Sequence, residues 1–238
     1  MDSSGGYRRA LLKISGEALA GDRGYGWDTL KIRWIAEQIA RAHHDRREIG
    51  IVVGGGNILR GSDAASIGVP VLVADQMGMI ATVLNAMALR SALEIARVCA
   101  YVMCAFPVGN YVQAFDMEKA VDYLQRGNIV IFAGGTGNPC FTTDSAAALR
   151  AVEINADIMV KATQVRGVFD KDPRKNPDAY FFEKISPEEV LQKRLGVIDA
   201  ASIEILGRKK IPVIVLNLHE DANIFRALAG EKIGTVIA

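Results

Sequence analysis

The chain has 238 residues, half of them hydrophobic, and a net charge of +1. That length supports one large α/β domain or two small ones, with a core of useful size. The near-neutral balance argues against a dedicated nucleic-acid surface, while loops and helix N-termini remain able to bind phosphate. The opening MDSSGG lacks an apolar signal core and reads as a frayed tail over residues 1–6. No uncharged stretch reaches the ~20 residues that a membrane helix needs. Cys99, Cys104 and Cys140 show no metal-ligand spacing, and His43, His44 and His219 sit in no motif that would complete a site. The odd count and apolar settings read as reduced, mostly buried thiols of a cytoplasmic protein.

Short β-branched runs alternate with helical spacing from the start. ALLKI at 10–14 is the first expected strand and runs into KISGEAL; apolar helical spacing follows at 30–44. IGIVV at 49–53 is the second strand and ends in GGGNILRG. Asp75 stands ahead of a helix expected at 77–97, and on its own it reads as a cap. That helix is apolar on more than one face and is expected to be buried all round, which in a single layer calls for another subunit. CAYVM at 99–103 and IVIFA at 129–133 flank a helix at 117–125; the second of these strands ends in GGTGNPCFTTD. A helix at 144–154 opens on Asp144, and ADIMV at 156–160 ends in KATQVRGVFDKDP. Residues 171–185, with two prolines and mixed charge, form a lid or a hairpin. Helices are expected at 187–194, with Ser186 as cap and Pro187 in the first turn, and at 199–209 and 221–229, opening on Asp199 and Asp221. VIVL at 213–216 is the last expected strand. This alternation predicts a mainly parallel sheet with helices on both faces, a three-layer α/β sandwich in one domain.

Ligands of such sheets gather beyond the carboxyl ends of the strands. Four of those ends carry Gly, Thr, Lys or Asp. Gly54, Gly55 and Gly56 bring backbone N–H groups close to an anion because no Cβ intervenes, and Arg60 could fork onto a phosphate; a tight turn with a surface arginine fits equally. Lys13 and Lys161 each end an apolar strand, where a cation either shields charge that builds up during phosphoryl transfer or snorkels to water. Thr136, Asn138, Thr142 and Thr143 offer neutral partners suited to a base or ribose, with Gly137 and Pro139 shaping the loop. Asp144 either caps its helix, or holds magnesium directly or through water, or orients the lysines. Neither GxxxxGK[ST] nor GxGxxG with a following acid is present, which disfavours P-loop and dinucleotide-binding readings.

Together, LLKISGEAL, VVGGGNILRG, VADQMGMIATVLNAMALR, FAGGTGNPCFTTDSAAALRA, VKATQVRGVFDKDP and the stretch around VIVLNLHE resemble the bacterial uridylate (UMP) kinases of the amino-acid kinase superfamily, in family order and from Tyr7 onward. The resemblance implies the amino-acid kinase fold over 7–238, with the UMP side mainly in the N-terminal half and the ATP side mainly in the C-terminal half. It implies Mg2+-dependent transfer of the ATP γ-phosphoryl group to UMP, in pyrimidine nucleotide biosynthesis in the cytoplasm. Lys13, Ser15, Gly16 and Glu17 match the first phosphate loop, with Lys13 stabilising the transferring group. Gly55, Gly56 and Arg60 match the second loop, Gly55 and Arg60 on the UMP side and Gly56 and Arg60 also among the ATP-binding set. Asp75 matches the acid on the UMP ribose. Thr136, Gly137, Asn138, Pro139, Cys140, Phe141, Thr142 and Thr143 match the segment around the uracil and acceptor phosphate. Asp144 matches the acid that organises the catalytic lysines and magnesium, with Lys161 as a further phosphate contact. Thr163, Phe169 and Asp172 match the ATP base and ribose contacts. No metal ligand is assigned directly.

The resemblance also implies a homohexamer, activation by GTP and inhibition by UTP, with Arg90 as an allosteric residue. The chain departs from the family where Ser91 follows Arg90 in place of an Asp, where Asn128 replaces an Arg, and where Cys140 replaces a Phe. The first two changes fall on the GTP contacts; the third is expected to alter packing. Two alternatives stand beside this reading: another kinase of the superfamily acting on a carbamate or carboxylate, and a non-catalytic nucleotide-binding or storage protein on the same fold.

Overall fold

A computed structural model describes residues 6–44, 47–60, 64 and 66–238. In chain order the elements are β1 (Arg9–Ile14), α1 (Glu17–Ala20), a 3-10 turn (Gly21–Arg23), α2 (Thr29–His43), β2 (Glu48–Val53), α3 (Val71–Ile95), β3 (Ala100–Cys104), β4 (Gln113–Ala114), α4 (Met117–Gln125), β5 (Ile129–Ala133), α5 (Thr143–Glu153), β6 (Ile158–Thr163), β7 (Val168–Phe169), β8 (Phe181–Phe182), β9 (Lys184–Ile185), α6 (Pro187–Gln192), α7 (Ala200–Gly207), β10 (Val213–Asn217), α8 (Asn223–Leu228) and β11 (Thr235–Ile237). Nine strands form one sheet in the order β4-β3-β5-β2-β1-β6-β10-β11-β9, and β7 and β8 pair separately. Only the β10–β11 pairing in the large sheet is antiparallel.

Strand alternation sorts the core into two layers. Leu12, Ile14, Ile51, Ile131, Val160 and Ile214 pack on one face beneath α2, α3 and α8. Leu11, Val52, Val130, Phe132, Met159 and Val215 pack on the other beneath α4, α5 and α7. On that second face α5 buries Ala146, Ala147, Ala148 and Ala151, small side chains that let the helix sit close to the strands. The predicted sandwich is what forms.

Several boundaries differ from the sequence reading. β6 begins at Ile158 and runs on to Thr163, so Lys161 lies within a strand and not at its end. Its neighbours on both sides, β1 and β10, continue pairing past that point and hold it extended. Likewise α3 starts at Val71, six residues before the expected 77, directly after Pro70. Asp75 is therefore inside the helix, and its reading as a cap is corrected. Asp144 is not the cap of α5 either: Thr142 holds that position, its Oγ1 accepting from the N–H groups of Asp144 and Ser145. Asp199 does cap α7. Asp221 does not open α8; Gln38 and Arg41 of α2 draw its carboxylate away.

Among the described residues the three cysteines are free. Cys104 is buried but Cys99 and Cys140 are exposed, because one precedes the buried part of β3 and the other lies in a loop. The expectation of mostly buried thiols fails for those two. Of the expected tail, residues 1–5 lie outside the described residues; Gly6 is buried, and the Tyr7 N–H donates to the Leu228 carbonyl at 2.9 Å. α3 is long and apolar enough by composition to cross a membrane, but its Ala81, Val83, Ala86, Leu89 and Leu93 are buried in the core. It is not buried all round, since Val73, Met77, Ile80, Leu84 and Met87 form an exposed outer stripe.

Candidate active site

The site begins with register. Lys13 in β1 is the direct cross-strand partner of Lys161 in β6. Leu11 and Met159, two residues earlier on each strand, face the α5 layer, so period-two alternation turns both lysines to that side. There the first turn of α5 presents Asp144. Lys13 Nζ stands 2.9 Å from Asp144 Oδ1, and Lys161 Nζ donates to Asp144 Oδ2. All three side chains are largely buried, at 12–13% exposure. A carboxylate at a helix N-terminus between two ammonium groups is favoured by both the helix dipole and the charges.

Lys161 Nζ also donates to the Val197 carbonyl. Burial pushes the Lys161 ammonium below the ordinary lysine range; Asp144 opposes the shift and Lys13 reinforces it. Asp199 ties the neighbourhood together. Its carboxylate accepts from the hydroxyls of Thr142, Ser145 and Ser202 and from the Ser202 N–H. Its burial raises its pKa, but those hydrogen bonds outweigh it and hold the carboxyl below its usual value.

Two clefts flank this cluster. The first, about 250 Å³, is lined by Gly55, Gly56, Asp75, Gly135, Asn138, Phe141, Thr142 and Thr143 together with residues of α3. Asp75 Oδ2 accepts the Cys140 N–H at 2.7 Å, strapping the loop before α5 onto α3. Cys140 adopts a left-handed backbone, φ 70°, with its side chain exposed. Thr136 folds its hydroxyl onto the Asn138 backbone, and Gly137 packs beside Ala105. Thr136, Gly137, Pro139 and Cys140 shape the loop without lining the cleft.

The second cleft, about 410 Å³, is lined by Lys161, Thr163, Phe169 and Asp172, with Arg194–Val197 opposite. Residues 171–185 supply the loop and second strand of the β7–β8 hairpin and then β9, and that loop carries a turn in which Asp172 Oδ1 accepts the Arg174 N–H at 3.0 Å. That bond, first among its contacts, lowers the Asp172 pKa.

The predicted residues thus gather at the cluster, the two clefts and the 136–140 loop, whereas Ser15, Gly16, Glu17, Arg60 and Arg90 line neither cleft, Gly16 lying against Gly54 and Asn57. Arg60 is half-exposed and paired with Glu17 at 3.1 Å, so each occupies the other's charge; the turn's last residue, Gly61, lies outside the described residues. Arg90 lies farther along α3, paired with Glu94 at 3.1 Å, and lines neither cleft. Sequence reasoning missed Val197, Asn57, Asn85 and Trp27, and it saw Asp199 only as a cap. None of these carries a local spacing signal, because each acts across the chain.

Residues 8–217 match the amino acid kinase family. The chain is 46% identical to a protein named uridylate kinase from Pseudoalteromonas atlantica, over 97% of this chain and 94% of that one. Among solved structures it is similar to the UMP kinase from Bacillus anthracis, with a TM-score of 0.94 and 35% identity over 98% of this chain and 96% of that one. The UMP kinase from Ureaplasma parvum superposes at a TM-score of 0.91 with 34% identity, covering 97% and 98% of the two chains.

Proposed function

The chain belongs to the amino acid kinase family, and we propose that it transfers the γ-phosphoryl group of ATP to UMP, giving UDP and ADP. The observation that carries this reading is the Lys13–Asp144–Lys161 cluster bordered by two clefts. Thr142 and Thr143, just ahead of Asp144, line the first, and Lys161 lines the second. UMP occupies the first, with Asp75 on the ribose and the 136–143 loop around uracil and phosphate. ATP occupies the second, with Thr163, Phe169 and Asp172 around its base and ribose.

In the transfer an oxygen of the UMP phosphate forms a bond to the γ-phosphorus as the bond to the β,γ-bridging oxygen breaks. The acceptor is already an anion, so no side chain need remove a proton. What the protein must supply is alignment and positive charge around the moving group. Lys13 and Lys161 supply the charge; Asp144 holds them in place and lets two ammonium groups share one small volume. Ser15, Gly16, Glu17, Gly55, Gly56 and Arg60 complete the phosphate-binding loops. One domain over 7–238 holds both sides.

The described residues contain no group of three or more His, Cys, Asp or Glu able to cage a metal. Asp144 is the one carboxylate in the cluster of lysines, and its Oδ1 makes no hydrogen bond there despite its contact with Lys13. That set fits a Mg2+ carried in by the triphosphate and held mainly by phosphate oxygens and water, with Asp144 as its protein contact. When bound, the ion would neutralise charge on the β- and γ-phosphates.

The proposal extends to a cytoplasmic homohexamer that responds to GTP and UTP. The exposed stripe Val73, Met77, Ile80, Leu84 and Met87 on α3 supports burial against another copy. For GTP, Arg90 is the proposed contact, while Ser91 Oγ bonds the Met87 carbonyl and Asn128 Nδ2 the Tyr123 carbonyl, local uses that favour a weak response.

ADP formation measured with UMP, CMP, carbamate, aspartate and glutamate as acceptors, with and without GTP, tests the reading. UMP-dependent ADP release is expected. A preference for carbamate or an amino acid, or no acceptor-dependent turnover at all, would overturn it.

A further inference from the structure

The two phosphate-binding loops are not independent of each other. Asn85 of α3 is fully buried, and its amide reaches only outside its own helix. Nδ2 donates to the Gly54 carbonyl at 2.6 Å and to Asn57 Oδ1 at 2.6 Å. Oδ1 accepts from Trp27 Nε1 at 2.8 Å and from Asn57 Nδ2 at 3.2 Å. Asn57, also buried, donates in turn to the Gly26 carbonyl at 2.7 Å. Its Oδ1 lies so close over Gly16 that a Cβ built there would come within 2.5 Å of it, and within 2.6 Å of the Gly54 carbonyl. The Gly54 N–H donates to the Ile14 carbonyl at 2.9 Å. A saturated buried amide network of this kind has one arrangement and resists any other. Its members meet the first loop at Gly16 and the second at Gly54, and Gly55 and Gly56 then enter the first cleft.

We propose that Asn85 is a positioning residue for phosphoryl transfer, fixing through Gly54 and Asn57 the spacing between the two phosphate-binding loops, and that Trp27 braces it from the surface side. Loosening their spacing shifts the bound phosphates relative to each other while leaving each loop's own groups in place, so it costs alignment of the two phosphates more than it costs either affinity. A misplacement of about 1 Å in such a site lowers rate by about 10²-fold. Phosphates gain nothing from Asn85 directly; it acts through the backbone it holds.

The test compares the unmodified chain with Asn85→Asp and Trp27→Phe. Asn85→Asp keeps the volume and the acceptor for Trp27 but places oxygen where two donors were. It is expected to lower kcat by about 30-fold or more, while the separately measured Kd values for UMP and for ATP change by less than about threefold. Trp27→Phe is expected to show the same split at about three- to tenfold in kcat. In a Trp34→Phe background, Trp27 is the remaining tryptophan, and its emission is expected to shift in Asn85→Asp as its indole partner changes. Folded variants with unchanged kcat would overturn the proposal, as would kcat and both affinities falling together with the melting temperature. If Asn85→Asp does not fold, Trp27→Phe decides by the same criteria. Because the spacing matters only if the chain phosphorylates UMP as proposed above, the unmodified chain is assayed first. Absence of UDP there would sink the functional reading itself, whereas an active chain with indifferent variants sinks only the role of Asn85.

Discussion

Lys13 and Lys161 are cross-strand partners on adjacent parallel strands, and both reach the one carboxylate of Asp144. Two like charges in register on a buried face would repel each other; the acid at the first turn of α5 is what makes the pair tolerable. The consequences for rate, binding and pH separate cleanly.

Asp144→Asn keeps the shape and removes the charge between the lysines. We expect kcat to fall by about 10²–10³-fold, the range for losing one electrostatic contact to a reacting centre. The melting temperature should also drop, since two largely buried ammonium groups lose their counter-charge. Steady-state kinetics with thermal unfolding checks both; a variant with near-normal kcat would show that Asp144 only organises the fold.

Lys13→Ala removes a charge whose proposed effect is greatest as the phosphoryl group moves. The expected result is a loss of about 10²-fold or more in kcat with UMP binding changed by less than about threefold. Calorimetric titration of UMP alongside turnover resolves the two. Equal losses in both would assign Lys13 to ground-state binding.

Asp75→Asn should act on UMP alone. The carboxylate lines the first cleft and accepts the Cys140 N–H, so the neutral amide should weaken both the proposed ribose contact and the strap on the loop. UMP KM is expected to rise by about tenfold, with ATP KM unchanged, the loss being that of a hydrogen bond to a charged group. An unaltered UMP KM would remove Asp75 from the acceptor site.

The Lys161 shift has a definite sign. Burial lowers its pKa from the ordinary 10.5, so the charged form is lost as pH rises through a value beneath 10.5. Activity that needs the ammonium therefore declines on an alkaline limb below that of a free lysine. Stability moves oppositely there: the penalty for burying the charged form is relieved as pH climbs through the folded value toward 10.5. Lys161→Arg, whose charge persists at those pH values, should displace the limb upward. A pH–rate profile for kcat reads this directly, and an identical limb in the variant would exclude Lys161 as its source.

Much of the scaffold was legible because it rests on short-range patterns. IVIFA at 129–133 and the helix at 117–125 fall where apolar periodicity puts them. The strand pairs β7–β8 and β9–β11 have no comparable signal: four of these elements are two or three residues long and exist because a partner strand lies alongside. In the candidate site, the residue types at the strand ends pointed to phosphate chemistry, but their roles stayed divided between capping and catalysis. Asp75 and Asp144 each looked like a helix cap until Thr142 took the cap of α5 and α3 was seen to begin at Val71.

By itself the amino-acid sequence determined a parallel α/β sandwich and a set of Gly, Thr, Lys and Asp residues at its strand ends, because alternation and turn chemistry are local properties. Only the tertiary structure decided that Lys13, Asp144 and Lys161 form one cluster, that Asp199, legible in the sequence only as a cap, ties Thr142 and Ser145 beside it, and that Asn85 joins Gly54 to Asn57. Strand register and helix docking set those distances, and both arise from contacts between segments far apart in the chain, which no local pattern encodes.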